Sequence, residues 1–289
     1  MRTAIPKEAA LQWLVHGHFW LALAVAAQTA WTALFLSPGT PIWGYVAAAS
    51  LGVFTAYGLM RLARSKPGSE RAGGTLGWFR LHRGRMGLLM ALAAVGAAWL
   101  LGGYPRSIWN MLLPAMALAF LYATPFDAAP GRAVGLRAVP FLKVLLIAAA
   151  WSVVTVAVPW RLDGQPRSDW YILSMACMRM PLYMGLAILF DIRDLGQDAP
   201  GLRTLPIVLG VKGAKAVSVL LLASSALFES IYLHGLGQFL AIRTILVGYA
   251  VAMVVVWRAR PGQAGPVFDL WVDGMMILVP LCGWLGMDR

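Results

Sequence analysis

The sequence predicts an all-α, polytopic membrane protein built as a bundle of nine transmembrane helices. Of its 289 residues, 60% are hydrophobic and only 12% are charged, and the mean hydropathy is +0.71. A soluble core of this size cannot bury so much apolar surface, so lipid is the expected solvent. The apolar segments follow each other with short connections, which predicts a single membrane-embedded helical domain over residues 1–289.

Nine apolar stretches are long enough to cross a bilayer, which takes about 20 largely apolar residues. They cover residues 12–35, 42–62, 86–102, 107–123, 139–160, 171–190, 214–234, 237–257 and 266–286. The first stretch is longer than the apolar core of a signal peptide and contains His16 and His18. We therefore interpret it as a membrane helix.

Basic residues are distributed unevenly between the two sides of the predicted bundle. Most of the 24 lysine and arginine residues fall in the N-terminal tail and in the second, fourth, sixth and eighth loops. The positive-inside rule makes these segments cytoplasmic. The asymmetry predicts a multi-pass protein of a bacterial-type inner (plasma) membrane with a cytoplasmic N-terminus. It also explains most of the net charge of +12, so no nucleic-acid partner is expected.

Three aspartates stand at the predicted cytoplasmic end of the sixth helix. Asp191, Asp194 and Asp198 are spaced i, i+3 and i+7, which places them within about 60° on one face of a helix. Such a face suits Mg²⁺, which binds one or two carboxylates and completes its shell with water and substrate phosphate oxygens. A solvated acidic turn that caps the helix explains the same spacing. Spacing alone leaves both interpretations open.

The chain resembles the UbiA superfamily of intramembrane prenyltransferases in this motif and in a second segment. The three aspartates match the family's second motif, Asp-x-x-Asp-x-x-x-Asp, and Thr204-Leu205-Pro206 resembles the stretch that follows it. The fourth-to-fifth connection resembles that of the family at Tyr122, Pro125, Leu136-Arg137, Pro140 and Lys143. The resemblance implies a nine-helix fold, an isoprenoid diphosphate substrate and Mg²⁺ held by the three aspartates.

The chain departs from the family at the end of the second helix. The family's first aspartate motif belongs near residues 55–66, where this sequence has no acidic residue. It has Arg61, Arg64 and Lys66 instead, and such cations bind phosphate oxygens directly by charge-assisted hydrogen bonds. They are equally what an ordinary cytoplasmic loop contains. The sequence therefore resembles a divergent member of the family.

Acidic side chains within the predicted helices are costly in lipid and point to function or to a specific partner. Asp269 and Asp273 are i, i+4 on the ninth helix, with Asp269 about one turn from its cytoplasmic end. One interpretation is that they replace the carboxylates of the missing first motif, or that one of them acts as a base that deprotonates an acceptor. The other is that they form ion pairs with Arg179 or Lys143. On the outer side, Glu229 and Arg243 are expected to form a structural ion pair.

The resemblance and these charges together predict the site residues. Asp191, Asp194 and Asp269 are the predicted catalytic residues, and Asp191, Asp194 and Asp198 are the predicted metal ligands. The predicted substrate contacts are Arg61, Lys66, Tyr122, Lys143 and Arg203.

The leading hypothesis is a UbiA-like prenyltransferase that binds a polyisoprenoid diphosphate. Mg²⁺ would assist the loss of pyrophosphate, followed by transfer of the chain to a lipophilic or aromatic acceptor or by cyclisation. Membrane lipid is the other expected partner. The alternative is a catalytically degenerate membrane protein that binds or transports a lipid or isoprenoid, and the missing first motif favours it.

Overall fold

The computed structural model describes residues 6–64, 74–123, 141–195, 204–263 and 265–288, and the regular structure in these ranges is helical. The helices are α1 Pro6–His16, α2 Phe19–Ala33, α3 Ile42–Arg64, α4 Gly74–Leu81, α5 Arg83–Gly102, α6 Arg106–Ala123, α7 Leu142–Ser152, α8 Val158–Leu162, α9 Asp169–Asp194, α10 Leu205–Gly235, α11 Phe239–Arg258 and α12 Pro266–Leu285. A π-helical segment, Val153–Ala157, joins α7 to α8 without a break. In lipid, helices satisfy their own backbone hydrogen bonds, which explains this architecture.

Seven helical segments of the described chain are long and apolar enough to span a membrane, with α7 to α8 counted as one. The bent pair α1 and α2 becomes an eighth if both helices form one broken span. Helix α6, at the position of the predicted fourth span, is outside this group and has Arg106 and Asn110 near its start. The multi-pass, all-α prediction is confirmed, and the count of nine spans stays a prediction.

The first predicted span is broken rather than continuous. Helices α1 and α2 meet at an angle of 55°, and His18 between them has a φ of +62°. This left-handed conformation is unfavourable for a residue with a side chain and interrupts the helix. The His18 ring is 8% exposed and packs against the rings of Tyr57 and Phe79, whose centroids are 6.0 and 5.5 Å away.

The sequence around two helix starts fixes where the helices begin. Ser168 precedes α9, and its hydroxyl accepts a hydrogen bond of 3.2 Å from the backbone N–H of Tyr171. Pro266 is the first residue of α12, a position where a missing N–H costs no helical hydrogen bond. Asp269 therefore lies in the first turn of α12, where the helix dipole favours a negative charge.

A buried ion pair connects α9 to α10 inside the bundle. Arg179 Nε donates to Glu229 Oε1 at 2.9 Å, and the two side chains are 8% and 9% exposed. Arg179 also donates to Thr32 Oγ1 at 2.8 Å, and Tyr249 donates to Glu229 Oε2 at 3.1 Å. The predicted pairing of Glu229 with Arg243 is wrong, because Arg243 lies exposed on α11 while Glu229 faces the interior.

Neutral polar side chains extend this ion pair into a network. Gln28 accepts a hydrogen bond from Tyr183 at 3.0 Å and donates to the carbonyl of Met276 at 2.8 Å. The hydroxyls of Tyr183 and Thr155 are 2.6 Å apart. The network thus joins α2, the π-helical segment, α9, α10, α11 and α12, and it fixes the rotation of each about its own axis.

At the far end of α8, Asp163 ties this helix to the connection between α2 and α3. Its side chain is fully buried, and it accepts hydrogen bonds from the Ser37 N–H at 2.5 Å and from Thr40 at 3.1 Å. Arg167 forms an ion pair with it at 3.1 Å. Burial by itself raises the pKa of the Asp163 carboxyl, but the hydrogen bonds from Ser37, Arg167 and Thr40 outweigh it and lower the pKa below its ordinary value.

We expect Arg179→Met to destabilise the protein by about 3–5 kcal/mol, because it leaves Glu229 buried without its counter-charge. Replacing both residues with Met and Leu should recover most of the loss. Thermal unfolding in detergent measures both changes. The matched control is Arg161→Gln, whose partner Asp169 is 84% exposed, and it should change stability by less than about 1 kcal/mol. Equal melting temperatures of the Arg179 and Arg161 variants would contradict the assigned role of the network.

The lowered pKa of Asp163 makes its contribution to stability dependent on pH. The contribution is fully present above the pKa of the unfolded chain, about 3.9, and is lost as the pH falls through the lower pKa of the folded state. We therefore expect the difference in melting temperature between the wild type and Asp163→Asn to shrink below about pH 4. A scan from pH 7 to pH 3 measures it, and a constant difference would show that the carboxylate charge contributes nothing.

Candidate functional site

Four helix ends meet at one end of the bundle and bring together charged residues that are far apart in the sequence. They are the end of α3, the start of α7, the end of α9 and the start of α12. We call five of the residues there the mouth cluster: Lys143, Asp191, Arg193, Asp194 and Asp269.

Lys143 and Asp191 connect the start of α7 to the end of α9 by a salt bridge between Nζ and Oδ1. The Asp191 side chain is only 2% exposed, whereas that of Lys143 is 25% exposed. Asp191 is flanked on α9 by the buried apolar residues Ile188 and Ile192. A carboxylate in such surroundings stays ionised only with a close counter-charge, and Lys143 supplies it.

Arg193 connects the end of α9 to the start of α12. Its Nε and one terminal nitrogen donate to the two oxygens of Asp194 at 2.6 and 3.1 Å, and its other terminal nitrogen forms a salt bridge with Asp269. The guanidinium carbon lies 5.0 Å from the ring centroid of Phe190 and 5.7 Å from that of Phe268. On each of the helices α9 and α12, Arg193 therefore has one acidic partner and one neighbouring aromatic ring.

Sequence reasoning missed the role of Arg193, although the sequence contained a signal for it. A basic residue directly beside an aspartate of a proposed metal motif is a ready counter-ion for that motif. Asp269 also needed a cationic partner near the same end of the bundle. Arg193 meets both conditions, and the structure pairs it with Asp269, rather than pairing Asp269 with Arg179 or Lys143.

Arg61 and Asp273 lie close enough to the mouth cluster for electrostatic interaction. Arg61, on the last turn of α3, interacts with Asp269, Asp194 and Arg193. Asp273, one turn along α12, interacts with the charges of Asp269, Arg193 and Arg61. Arg61, at the end of α3, thus lies near acidic residues of both α9 and α12.

The structure therefore brings together five of the predicted site residues. They are Arg61, Lys143, Asp191, Asp194 and Asp269. Lys66, Asp198, Arg203 and the side chain of Tyr122 lie outside the described residues. The roles of all nine residues in binding or catalysis stay predictions.

The described carboxylates do not fit a Mg²⁺ ion as they are placed. Lys143 pairs with one oxygen of Asp191, and Arg193 pairs with both oxygens of Asp194 and with one of Asp269, so a metal would compete with a cationic side chain at each of the three carboxylates. Over the described ranges, no group of three or more acidic, histidine or cysteine side chains is arranged to hold a metal. The metal site that includes Asp198 stays a prediction.

Comparison with known proteins identifies the fold. No protein-family model and no curated protein matches the chain. Among solved structures it is similar to a UbiA homolog from Archaeoglobus fulgidus bound to GPP and Mg²⁺. The TM-score is 0.59 at 15% sequence identity, and the match covers 96% of this chain and 98% of that chain. The chain therefore shares the fold of this UbiA homolog over almost its whole length, which confirms the predicted all-helical membrane fold, while the count of nine spans stays a prediction.

Proposed function

We propose that this protein is a UbiA-like prenyltransferase that binds a polyisoprenoid diphosphate with its headgroup at the mouth cluster. The observation that carries the proposal is the meeting of Arg61, Lys143 and Arg193, from three helices, at one end of a bundle with the UbiA fold. The similar archaeal protein is bound to GPP, which supports this class of ligand. The isoprenoid chain lies among the apolar helices, and the diphosphate meets the basic side chains.

The reaction needs positive charge where the pyrophosphate leaves. The bond between the allylic carbon and the diphosphate oxygen breaks, and the electron pair departs with pyrophosphate. A new bond then joins that carbon to a lipophilic or aromatic acceptor, which releases a proton. In a cyclisation the carbon instead bonds to a double bond of the same chain, and the carbocation that this leaves loses a proton to form a new double bond. Arg61 and Lys143 are placed to stabilise the leaving anion by charge-assisted hydrogen bonds.

Lys143 is the basic residue of the site best placed to exchange partners. Its side chain is 25% exposed, while its partner Asp191 is almost completely buried. When a diphosphate arrives, the ammonium group can contact a phosphate oxygen while it remains near Asp191, which keeps the carboxylate compensated. Asp269, which pairs with Arg193, is the proposed base for the acceptor.

Mg²⁺-assisted loss of pyrophosphate is the competing form of this proposal. The similar archaeal protein is bound to Mg²⁺ as well as GPP, and the sequence motif predicts Mg²⁺ at Asp191, Asp194 and Asp198. In the leading form of the proposal, basic side chains stabilise the leaving pyrophosphate without a metal, because Lys143 and Arg193 hold the described carboxylates. In either form, we propose that the mouth cluster is the cytoplasmic end of an inner-membrane protein with a cytoplasmic N-terminus.

A specific observation favours a second candidate, a catalytically degenerate protein that binds or transports a lipid or isoprenoid. Arg193 ties down Asp194 and Asp269, two of the three carboxylates predicted to be catalytic. No acidic residue replaces the family's first motif between residues 55 and 66. Such a protein would hold the diphosphate without breaking its carbon–oxygen bond.

Release of pyrophosphate from a panel of prenyl diphosphates tests the proposal with purified protein in detergent. We expect release by the wild type. We expect Arg61→Met and Lys143→Met to bind the diphosphate about tenfold or more weakly, because each loses a charge-assisted hydrogen bond of about 1.5–3 kcal/mol. Binding is measured by the shift in melting temperature with substrate concentration.

Arg243→Met is the matched control, because Arg243 is an exposed arginine of α11 away from the mouth cluster. It should bind and react like the wild type. Binding without any release of pyrophosphate would support the second candidate. Failure to bind any prenyl diphosphate would overturn the proposed transferase and any form of the second candidate that holds a diphosphate. Release that stops in EDTA and returns with Mg²⁺ would support the metal-assisted form.

A further inference from the structure

We infer that Arg193 takes the place of a divalent cation between α9 and α12, so that the carboxylates of the mouth cluster are neutralised by the chain itself and require no metal. The inference rests on the proposed function only for the identity of the anion that the cluster receives. Its statement about the metal stands on the geometry of Arg193 alone.

Arg193 is placed as a bridging metal ion would be. Carboxylates from two helices, Asp194 on α9 and Asp269 on α12, converge on one cationic centre. Three different nitrogens of the guanidinium group make the contacts, with both oxygens of Asp194 engaged. A planar group with diverging N–H donors can satisfy two carboxylates at once, which a lysine ammonium does less specifically.

The charges of the site are consistent with this substitution. Asp194 on α9 and Asp269 on α12 converge on Arg193, and the repulsion between two carboxylates in a bundle surrounded by lipid requires positive charge between them. Arg193 and Arg61 both interact with this group of acids. Two guanidinium groups together carry the same charge as one divalent cation, so the chain has an internal equivalent of one Mg²⁺.

Arg193 is also fixed in its position, unlike an ordinary arginine at a helix end. The rings of Phe190 and Phe268 lie near its guanidinium group, and its backbone carbonyl accepts a hydrogen bond of 3.0 Å from Gly262. Its side chain is 15% exposed. A metal ion that entered between the two carboxylates would have to displace this side chain from both carboxylates and from the two rings.

Arg161 provides the contrast within the same chain. It also forms an ion pair with an aspartate, but Asp169 is 84% exposed and Arg161 is 36% exposed. An exposed pair of this kind contributes little to stability and organises no site. Arg161 is therefore the matched control for a substitution at Arg193.

The decisive experiment counts bound Mn²⁺ by electron paramagnetic resonance, in the absence of any prenyl diphosphate. We expect no stoichiometric site in the wild type or in Arg161→Gln. Arg193→Gln should gain one site per chain with an affinity at least about tenfold higher, because the substitution removes the guanidinium group that bridges Asp194 and Asp269. The additional substitution Asp269→Asn should abolish the gained site.

One Mn²⁺ bound per wild-type chain, or no gain in Arg193→Gln, would overturn the inference. If Arg193→Gln does not fold, the number of Mn²⁺ ions bound by the wild type tests the inference alone. Diphosphate binding that persists in EDTA supports the internal cation, and binding that is lost in EDTA and restored by Mg²⁺ overturns it. A protein that lacks Mn²⁺ and also binds no diphosphate would count against the proposed function while the inference on Arg193 holds.

Discussion

An ionised side chain inside a lipid-embedded bundle is stable only beside a fixed counter-charge, and the Arg179–Glu229 pair is where this constraint organises the fold. Both side chains are almost fully buried, and Thr32, Gln28 and Tyr249 form further hydrogen bonds with them. Each of these partners comes from a different helix or a different turn. The rotation and depth of several helices are therefore set together, because a shift of one leaves a buried polar group unpaired.

The same constraint has a different outcome at the mouth cluster, because that end of the bundle is partly exposed. Lys143 and Arg193 are 25% and 15% exposed, whereas Arg179 is 8% exposed. Arg179 and Glu229 line a small pocket within the bundle and are more deeply buried. Lys143 and Arg193 pair with the carboxylates of the mouth cluster and remain partly exposed. This difference in exposure is the reason that the mouth cluster, and not the more deeply buried pair, is the candidate site.

Hydropathy predicted the positions of the helices well, because the bilayer imposes the length of each apolar segment. It did not predict the break at His18, which depends on one backbone dihedral angle and leaves the hydropathy of the segment unchanged. It also gave Glu229 the wrong partner, since the choice between Arg179 and Arg243 depends on how α9, α10 and α11 are rotated. In the candidate site, spacing placed Asp191 and Asp194 on one face, and the resemblance added Lys143. Neither included Arg193.

The position of Arg193 explains why an aspartate motif is insufficient evidence for a metal. Successive residues of a helix are rotated by about 100°, so Arg193 points away from the face shared by Asp191 and Asp194 and reaches a different neighbouring helix. Asp191 consequently forms an ion pair with Lys143 on α7. Arg193 instead contacts both Asp194 on its own helix and Asp269 on α12. In this chain the residue between the two aspartates is itself a cation, and it pairs with one of them. The identity of the intervening residue therefore carries as much information about the site as the spacing of the acids.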